Sequence, residues 1–300
     1  MFLAPSGAHR YKGDMNETLG ARGFAKYEAL GNDYLVVDGE TFGVPLTTAF
    51  IERLCHRHYG VGSDGVLVRG AGPAPDLVGL RIFNPDGSEA EKSGNGLRIF
   101  ARFLYDFGYV RASRMRIHTP GGEVEAALAL RGDEVEAITV SMGRARFGSD
   151  AVPMAGLARE VQEEHLDVAG EEVRVNAVSM GNPHCVVFVP ALDAATLRRL
   201  GPRLERHPRF PNRTNVQLVR VTARDRLDIL IWERGAGETL ASGSSSCAAA
   251  AVAYKRGLVD GKLQVHMPGG VLGIGLTPDF DVTMTGPATP VARGEVLLSG

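Results

Sequence analysis

Ile82-Phe83-Asn84-Pro85-Asp86-Gly87-Ser88-Glu89-Ala90-Glu91-Lys92-Ser93-Gly94-Asn95-Gly96-Leu97-Arg98 runs on through an apolar stretch that closes at Gly108. The same pattern returns as Ile231-Trp232-Glu233-Arg234-Gly235-Ala236-Gly237-Glu238-Thr239-Leu240-Ala241-Ser242-Gly243-Ser244-Ser245-Ser246-Cys247, followed by an Ala-rich stretch to Gly257. At one fixed offset Ile82 meets Ile231, Phe83 meets Trp232, Glu89 meets Glu238, Ser93-Gly94 meets Ser242-Gly243 and Gly108 meets Gly257. This is an internal duplication. Each copy reads as strand, glycine-rich turn, Ser-Gly and helix, and the small residues leave backbone N–H groups free where each helix begins. Two such starts brought face to face would make a polar pocket that welcomes anions, with a reactive position on either side.

The repeat extends upstream. Gly31-Asn32-Asp33-Tyr34-Leu35-Val36-Val37 aligns with Gly181-Asn182-Pro183-His184-Cys185-Val186-Val187, and both copies place Gly-Asn just before a strand. Short β-branched runs predict strands that include 34–37, 65–68, 80–83, 115–118, 135–140, 186–189, 216–219 and 227–232. Helices are predicted at 48–58, 94–107, 194–200 and 243–255. The helices after the two Ser-Gly pairs are apolar on nearly every face, so each belongs inside something, and a sheet curling around it is the simplest container. Two similar domains of class α/β (α+β) are therefore expected, each a sheet curled around its central helix. Their expected spans are 23–150 and 151–285, after a flexible extension at 1–22 and before a segment at 286–300 that returns to the first domain.

A length of 300 residues fits two such domains. Hydrophobic residues make up 44%, charged residues 23%, and the formal net charge is −2, so there is no basic field to draw nucleic acid or an anionic membrane. The expected partner is a small molecule. Cys55, Cys185 and Cys247 form neither a CxxC pair nor an even set, which suggests a reducing compartment and no thiolate metal cage. No apolar run approaches the roughly 18 residues that span a bilayer, so a cytoplasmic protein is the default expectation.

Phosphate-loop and dinucleotide-fold motifs are absent, as is any metal-like spacing of histidines. His56 and His58 lie two apart on a predicted helix, which would point them away from each other in solvated or capping roles. Ser93 and Ser242 each read as a helix N-cap, and their symmetric placement before glycine also reads as a paired site. His184 reads equally as a satisfied turn residue and as the partner of Glu233 in an acid/base support pair. Cys247 and Cys55 read as small buried hydrophobes, and Cys185 faces the side of its strand opposite His184.

At this point a family resemblance becomes specific. Ala29-Leu30-Gly31-Asn32-Asp33-Tyr34, Tyr59-Gly60-Val61-Gly62-Ser63-Asp64-Gly65, Asn84-Pro85-Asp86-Gly87-Ser88-Glu89-Ala90-Glu91, Gly94-Asn95-Gly96, Gly181-Asn182-Pro183-His184, Asn215-Val216 and Glu233-Arg234-Gly235-Ala236-Gly237-Glu238-Thr239 occur in that order. From about Phe24 onward the chain resembles the diaminopimelate epimerases. The resemblance implies two pseudo-symmetric α/β domains, each a mixed sheet wrapped around a central helix, with the active site in the cleft between them, and interconversion of LL- and meso-2,6-diaminopimelate, on the path to lysine and the peptidoglycan cross-link. It implies no metal, nucleotide or pyridoxal cofactor, and it is compatible with a homodimer. It implies further that Asn32, Asn84, Asn182, Asn215 and Arg234 hold the substrate's distal amino acid group or its backbone polar atoms. N–H groups of Gly94-Asn95 and Gly243-Ser244 would bind the α-carboxylate, and His184 with Glu233 would support the reacting centre.

The family mechanism uses one cysteine at each central-helix start, and both positions here are serine, Ser93 and Ser242. The family pattern Cys-Gly-Ser/Thr-Gly-Ala-Cys has become Ser242-Gly243-Ser244-Ser245-Ser246-Cys247. A thiol of pKa about 8.5 becomes a thiolate at a helix N-terminus, whereas a serine hydroxyl needs an adjacent base. Three readings follow: an epimerase working through recruited bases or weakened by the loss of thiols, a Ser/Ser enzyme that racemises or eliminates from another amino acid, and a silent amino-acid-binding homologue.

Overall fold

The computed structural model describes residues 18–297; the part of the expected extension at 1–17 and residues 298–300 lie outside the described residues. The first half comprises β1 (Gly23–Ala29), β2 (Asn32–Asp38), α1 (Thr48–Cys55), β3 (Val66–Ala71), β4 (Leu77–Phe83), β5 (Glu89–Ala90), α2 (Gly94–Asp106), β6 (Arg114–Thr119), β7 (Gly122–Arg131) and β8 (Glu134–Arg144). Next come β9 (Glu164–Val168), β10 (Glu171–Ser179), β11 (Pro183–Phe188), α3 (Ala194–Glu205), β12 (Asn215–Ala223), β13 (Arg226–Glu233), β14 (Gly237–Thr239) and α4 (Gly243–Lys255). The described chain closes with β15 (Lys262–Met267), β16 (Gly270–Leu276), β17 (Asp281–Gly286) and β18 (Thr289–Glu295).

The duplication seen in sequence is a duplication of topology. In the first half β1–β2 and β3–β4 are antiparallel, β2–β3 and β4–β6 are parallel, and β6–β7–β8 is an antiparallel meander. In the second half β10–β11, β11–β12, β12–β13, β13–β15 and β15–β16–β17 repeat the same senses in the same order. Each parallel step needs a crossover, and the four helices supply them. The halves are stitched by β8 pairing antiparallel with β17, while β18 pairs with β1.

Both central helices are sheathed as their composition demands. In α2, Leu97, Ile99, Phe100, Phe103 and Leu104 have no exposure, and in α4 neither do Cys247 to Ala251. The alanines let strands β10 to β13 and β15 to β17 close tightly around α4. One apolar core includes residues of both helices, so the halves share it. Smaller clusters lie under α1, with Cys55, and under α3, with Cys185. No helix of the described residues is long and apolar enough to cross a membrane.

Three expectations need correction. Residues 18–22 of the expected extension are anchored: Leu19 is buried in the core, Gly43 N–H donates to the Ala21 carbonyl, and Val296 N–H donates to that of Arg22. α1 stops at Cys55 because His56 turns to extended backbone, so His56 and His58 are not on a helix. Their rings lie 5.9 Å apart, and His56 Nδ1 accepts the N–H groups of His58 and Tyr59. α3 continues past residue 200 to Glu205, because Leu204 and Glu205 are buried.

Candidate active site

Ser93 precedes α2 in extended conformation, and its Oγ accepts the Gly96 N–H at 3.1 Å. Ser242 precedes α4 with the same backbone but makes no side-chain cap bond. The two helix starts abut. A Cβ placed on Gly243 would lie 3.7 Å from the Gly94 Cα, and a Cβ on either glycine would meet Met284 at 2.8 Å. Glycine follows each serine because the backbones approach so closely there. Met142 also borders Gly94, and it belongs with Met284 to the β8–β17 pair, so the seam between the helix starts lies on the strands that join the halves.

On the first-half side, Tyr34 of β2 places its hydroxyl 3.3 Å from Ser93 Oγ. Burial raises the Tyr34 phenol above its ordinary range, the Ser93 contact opposes this, and Glu233 of the other half adds to the rise. A chain of hydrogen bonds then leads away. Arg98 donates to Asn95 Oδ1 at 2.9 Å, Asn95 Nδ2 to Asn32 Oδ1 at 3.1 Å, and Asn32 Nδ2 to Asp64 Oδ2 at 3.0 Å, while Asp64 is paired with Arg57. These bonds fix the two asparagines, and each amide keeps one further N–H to offer. Arg98 is fully buried beneath the first turn of α2, and its other bonds go to the carbonyls of Pro287 and Gly94 and to the Met284 sulfur. Burial lowers its guanidinium to about 10, which leaves it a cation that adds to the positive field of the helix start. Asn84 closes its turn by donating to Ser88 Oγ at 3.0 Å.

The second half is built differently at the equivalent places. His184 is fully buried, with Nε2 2.9 Å from Asn182 Oδ1 and Nδ1 3.1 Å from Gln217 Nε2. Gln217 also donates to Ser245 Oγ at 3.0 Å. Because Gln217 donates to Nδ1, the imidazole proton sits on Nε2 and points at Asn182. Burial, with Arg234 nearby, lowers His184 to about 3, so the ring is neutral and both nitrogens are engaged. Asn215 is buried and joins two loops, donating to the Pro183 carbonyl at 2.9 Å and accepting the Arg234 N–H at 3.0 Å. Arg234 is exposed and reaches the Asn212 carbonyl, and Ser244 is half-buried at the first turn of α4. Glu233 is half-buried, and burial raises its carboxyl. Ser246 turns inward to the Ser242 carbonyl at 2.9 Å.

The structure thus gathers Asn32, Ser93, Gly94 and Asn95 around one helix start and Ser242, Gly243 and Ser244 around the other, with Asn182 and His184 joined to Ser245 through Gln217. Asn84, Asn215, Glu233 and Arg234 lie at the strand ends and turns that flank them. Tyr34 and Gln217 contact the candidate residues, and sequence reading did not single them out. The available signal was Tyr34 at the repeat position of His184, and a glutamine inside the apolar run Val216-Gln217-Leu218-Val219. Among the described residues no group of His, Cys, Asp or Glu is placed to hold a metal ion.

This architecture of sheets around central helices is shared with solved structures of low sequence identity. A probable proline racemase from Agrobacterium radiobacter superposes with a TM-score of 0.71 at 16% identity, over 92% of this chain and 93% of that one. A hydroxyproline epimerase from Agrobacterium vitis gives 0.69 at 15% identity, over 92% of each chain. The diaminopimelate epimerase family model matches residues 24–148 and 176–291. Diaminopimelate epimerase 2 of Nostoc sp. is 48% identical over 91% of this chain and 95% of its own length. The diaminopimelate epimerase of Moorella thermoacetica is 42% identical over 91% of this chain and 98% of its own. The chain belongs to the diaminopimelate epimerase family.

Proposed function

We propose that this protein interconverts LL- and meso-2,6-diaminopimelate by moving the α-proton within the seam between the two helix starts. The observation that carries the reading is the approach of Gly94 and Gly243, where a Cβ on one would touch the Cα of the other. Backbone N–H groups of both helix starts then converge on a single α-carboxylate, with the buried Arg98 cation beneath them. Ser93 and Ser242 flank opposite faces of the α-carbon, Glu233 takes the α-ammonium, and neutral His184 holds Asn182 in place. Asn32, Asn84, Asn215 and Arg234 position the distal amino acid group. The relatives named diaminopimelate epimerase support the substrate.

A second reading, an amino-acid-binding protein that keeps the clamp without turnover, is favoured by one observation. Serine stands at both helix starts, and Ser242 has no side-chain hydrogen bond that would activate it. Chiral chromatography of LL-diaminopimelate incubated with the protein separates the readings, since the first requires the meso isomer to appear. Restoring thiols with Ser93→Cys and Ser242→Cys together should raise the rate by about 10²-fold or more. No gain in the double variant would count against a site limited by its bases.

A further inference from the structure

Arg98 carries a buried charge that makes no ion pair. Among the described residues, the other buried ionised side chains are paired: Asp33 with Lys26 at 2.8 Å, Asp38 with Arg69 at 2.7 Å, Glu205 with Arg213 at 3.8 Å and Asp228 with Arg226 at 3.0 Å. The partners of Arg98 are all neutral. Its Nε donates to the Pro287 carbonyl at 3.2 Å, Nη1 to the Gly94 carbonyl at 3.3 Å and the Met284 sulfur at 3.4 Å, and Nη2 to Asn95 Oδ1 at 2.9 Å. Glu28, whose carboxylate accepts the Gly31 N–H, acts on it only through space.

The guanidinium lies at the seam. Helical side chains fold back toward the N-terminus, and this one returns a full turn to Gly94 and Asn95, the first two residues of α2. From the second half, β17 and the residues after it close over it, and a Cβ on Gly286 would lie 3.2 Å from Arg98 Nε. Met284, which bonds the guanidinium, is also the side chain that a Cβ on Gly94 or Gly243 would strike at 2.8 Å. One methionine therefore touches the cation and both helix starts. The repeat places Cys247 at the position equivalent to Arg98, so a cation stands on one side only.

Neutral acceptors satisfy the hydrogen bonds of a guanidinium but not its charge, and an uncompensated buried charge is strongly unfavourable. The positive end of the α2 dipole lies against the same group and adds to the cost. An anion at the helix starts relieves both. We propose that Arg98 is a positioning residue whose counter-charge is the α-carboxylate of the bound amino acid, so that the ligand completes an ion balance the chain leaves open. The inference rests on the seam being the α-carboxylate site, as read above. Arg98 acts through the start of α2: its hydrogen bonds hold Gly94 and Asn95 in place, and its charge strengthens the N–H groups that face the ligand.

Calorimetric titration with meso-diaminopimelate, alongside thermal unfolding, separates these two contributions in Arg98→Lys and Arg98→Met. Both variants give up the planar fork of donors, and only methionine gives up the charge. Arg98→Lys should bind within about threefold of the unaltered protein, and Arg98→Met about tenfold or more weakly. Equal losses in the two variants would make Arg98 a scaffold for the helix start, and equal retention would show that no charge is needed there. Either result overturns the assignment and leaves the reading of the site intact. An Arg98→Met protein without a cooperative unfolding transition would place the residue in the fold rather than at the ligand, and overturns it likewise. An unaltered protein that binds no diaminopimelate overturns the reading of the site, and the Arg98 assignment with it.

Discussion

His184 occupies in the second half the place Tyr34 occupies in the first, yet the two are held in different ways. Tyr34 meets Ser93 directly, whereas His184 reaches Ser245 through Gln217. Its low value of about 3, against an ordinary 6.5, makes a prediction about stability. The unfolded chain takes up the imidazole proton near pH 6.5 and the folded one only near pH 3, so the folded state binds fewer protons in between. Stability should fall as pH drops below about 6.5, by about 2 kcal/mol between pH 7 and 5. Urea unfolding of the unaltered protein and of His184→Gln at both pH values checks this, because the difference between them isolates the imidazole. Equal slopes would mean that the ring is not buried as a neutral group. Candidate residues at this scale were legible where they broke the pattern of their surroundings, as Ser93 and Ser242 do. Tyr34 and Gln217 were not, because polar residues within strands declare their surroundings only once the chain has folded.

α1 shows how a loop completes an element. The carbonyls of Leu54, Cys55 and His56 accept N–H groups from residues 60–63, which tuck against the helix end. Gly60 permits this, since a Cβ there would lie 1.9 Å from the Arg53 carbonyl oxygen. Gly60→Ala should therefore destabilise the protein by about 3 kcal/mol, whereas Gly70→Ala, with open space around it, should change stability by less than about 0.5 kcal/mol. Thermal denaturation of the pair checks it, and equal melting temperatures would contradict the packing described. At this scale the helices after the Ser-Gly pairs were readable because each is apolar on nearly every face. Strands such as β1, β7 and β15 to β18 were not among the β-branched runs, because they alternate apolar residues with charged, polar or glycine residues over short stretches. A further repeat, His118-Thr119-Pro120-Gly121-Gly122 against His266-Met267-Pro268-Gly269-Gly270, marks the β6–β7 and β15–β16 turns and extends the duplication.

At the scale of the whole molecule, the sequence duplication foretold two like halves but not how they join. The β8–β17 pairing and the shared core depend on contacts between residues far apart in the chain, which no local pattern announces, whereas a return of the C-terminal segment to the first half was among the expectations. Those contacts bring the two helix starts together, and the proposed chemistry needs both halves at once. In the proposed chemistry neither serine alone defines the α-carbon site; the abutting glycines do. Proton NMR of LL- and meso-diaminopimelate incubated with the unaltered protein in D₂O tests this most directly, by following the α-hydrogen signal. The account predicts that the signal disappears as solvent deuterium replaces the abstracted proton. A signal that persists while saturation transfer shows the amino acid bound would contradict it, and would leave a clamp without the chemistry.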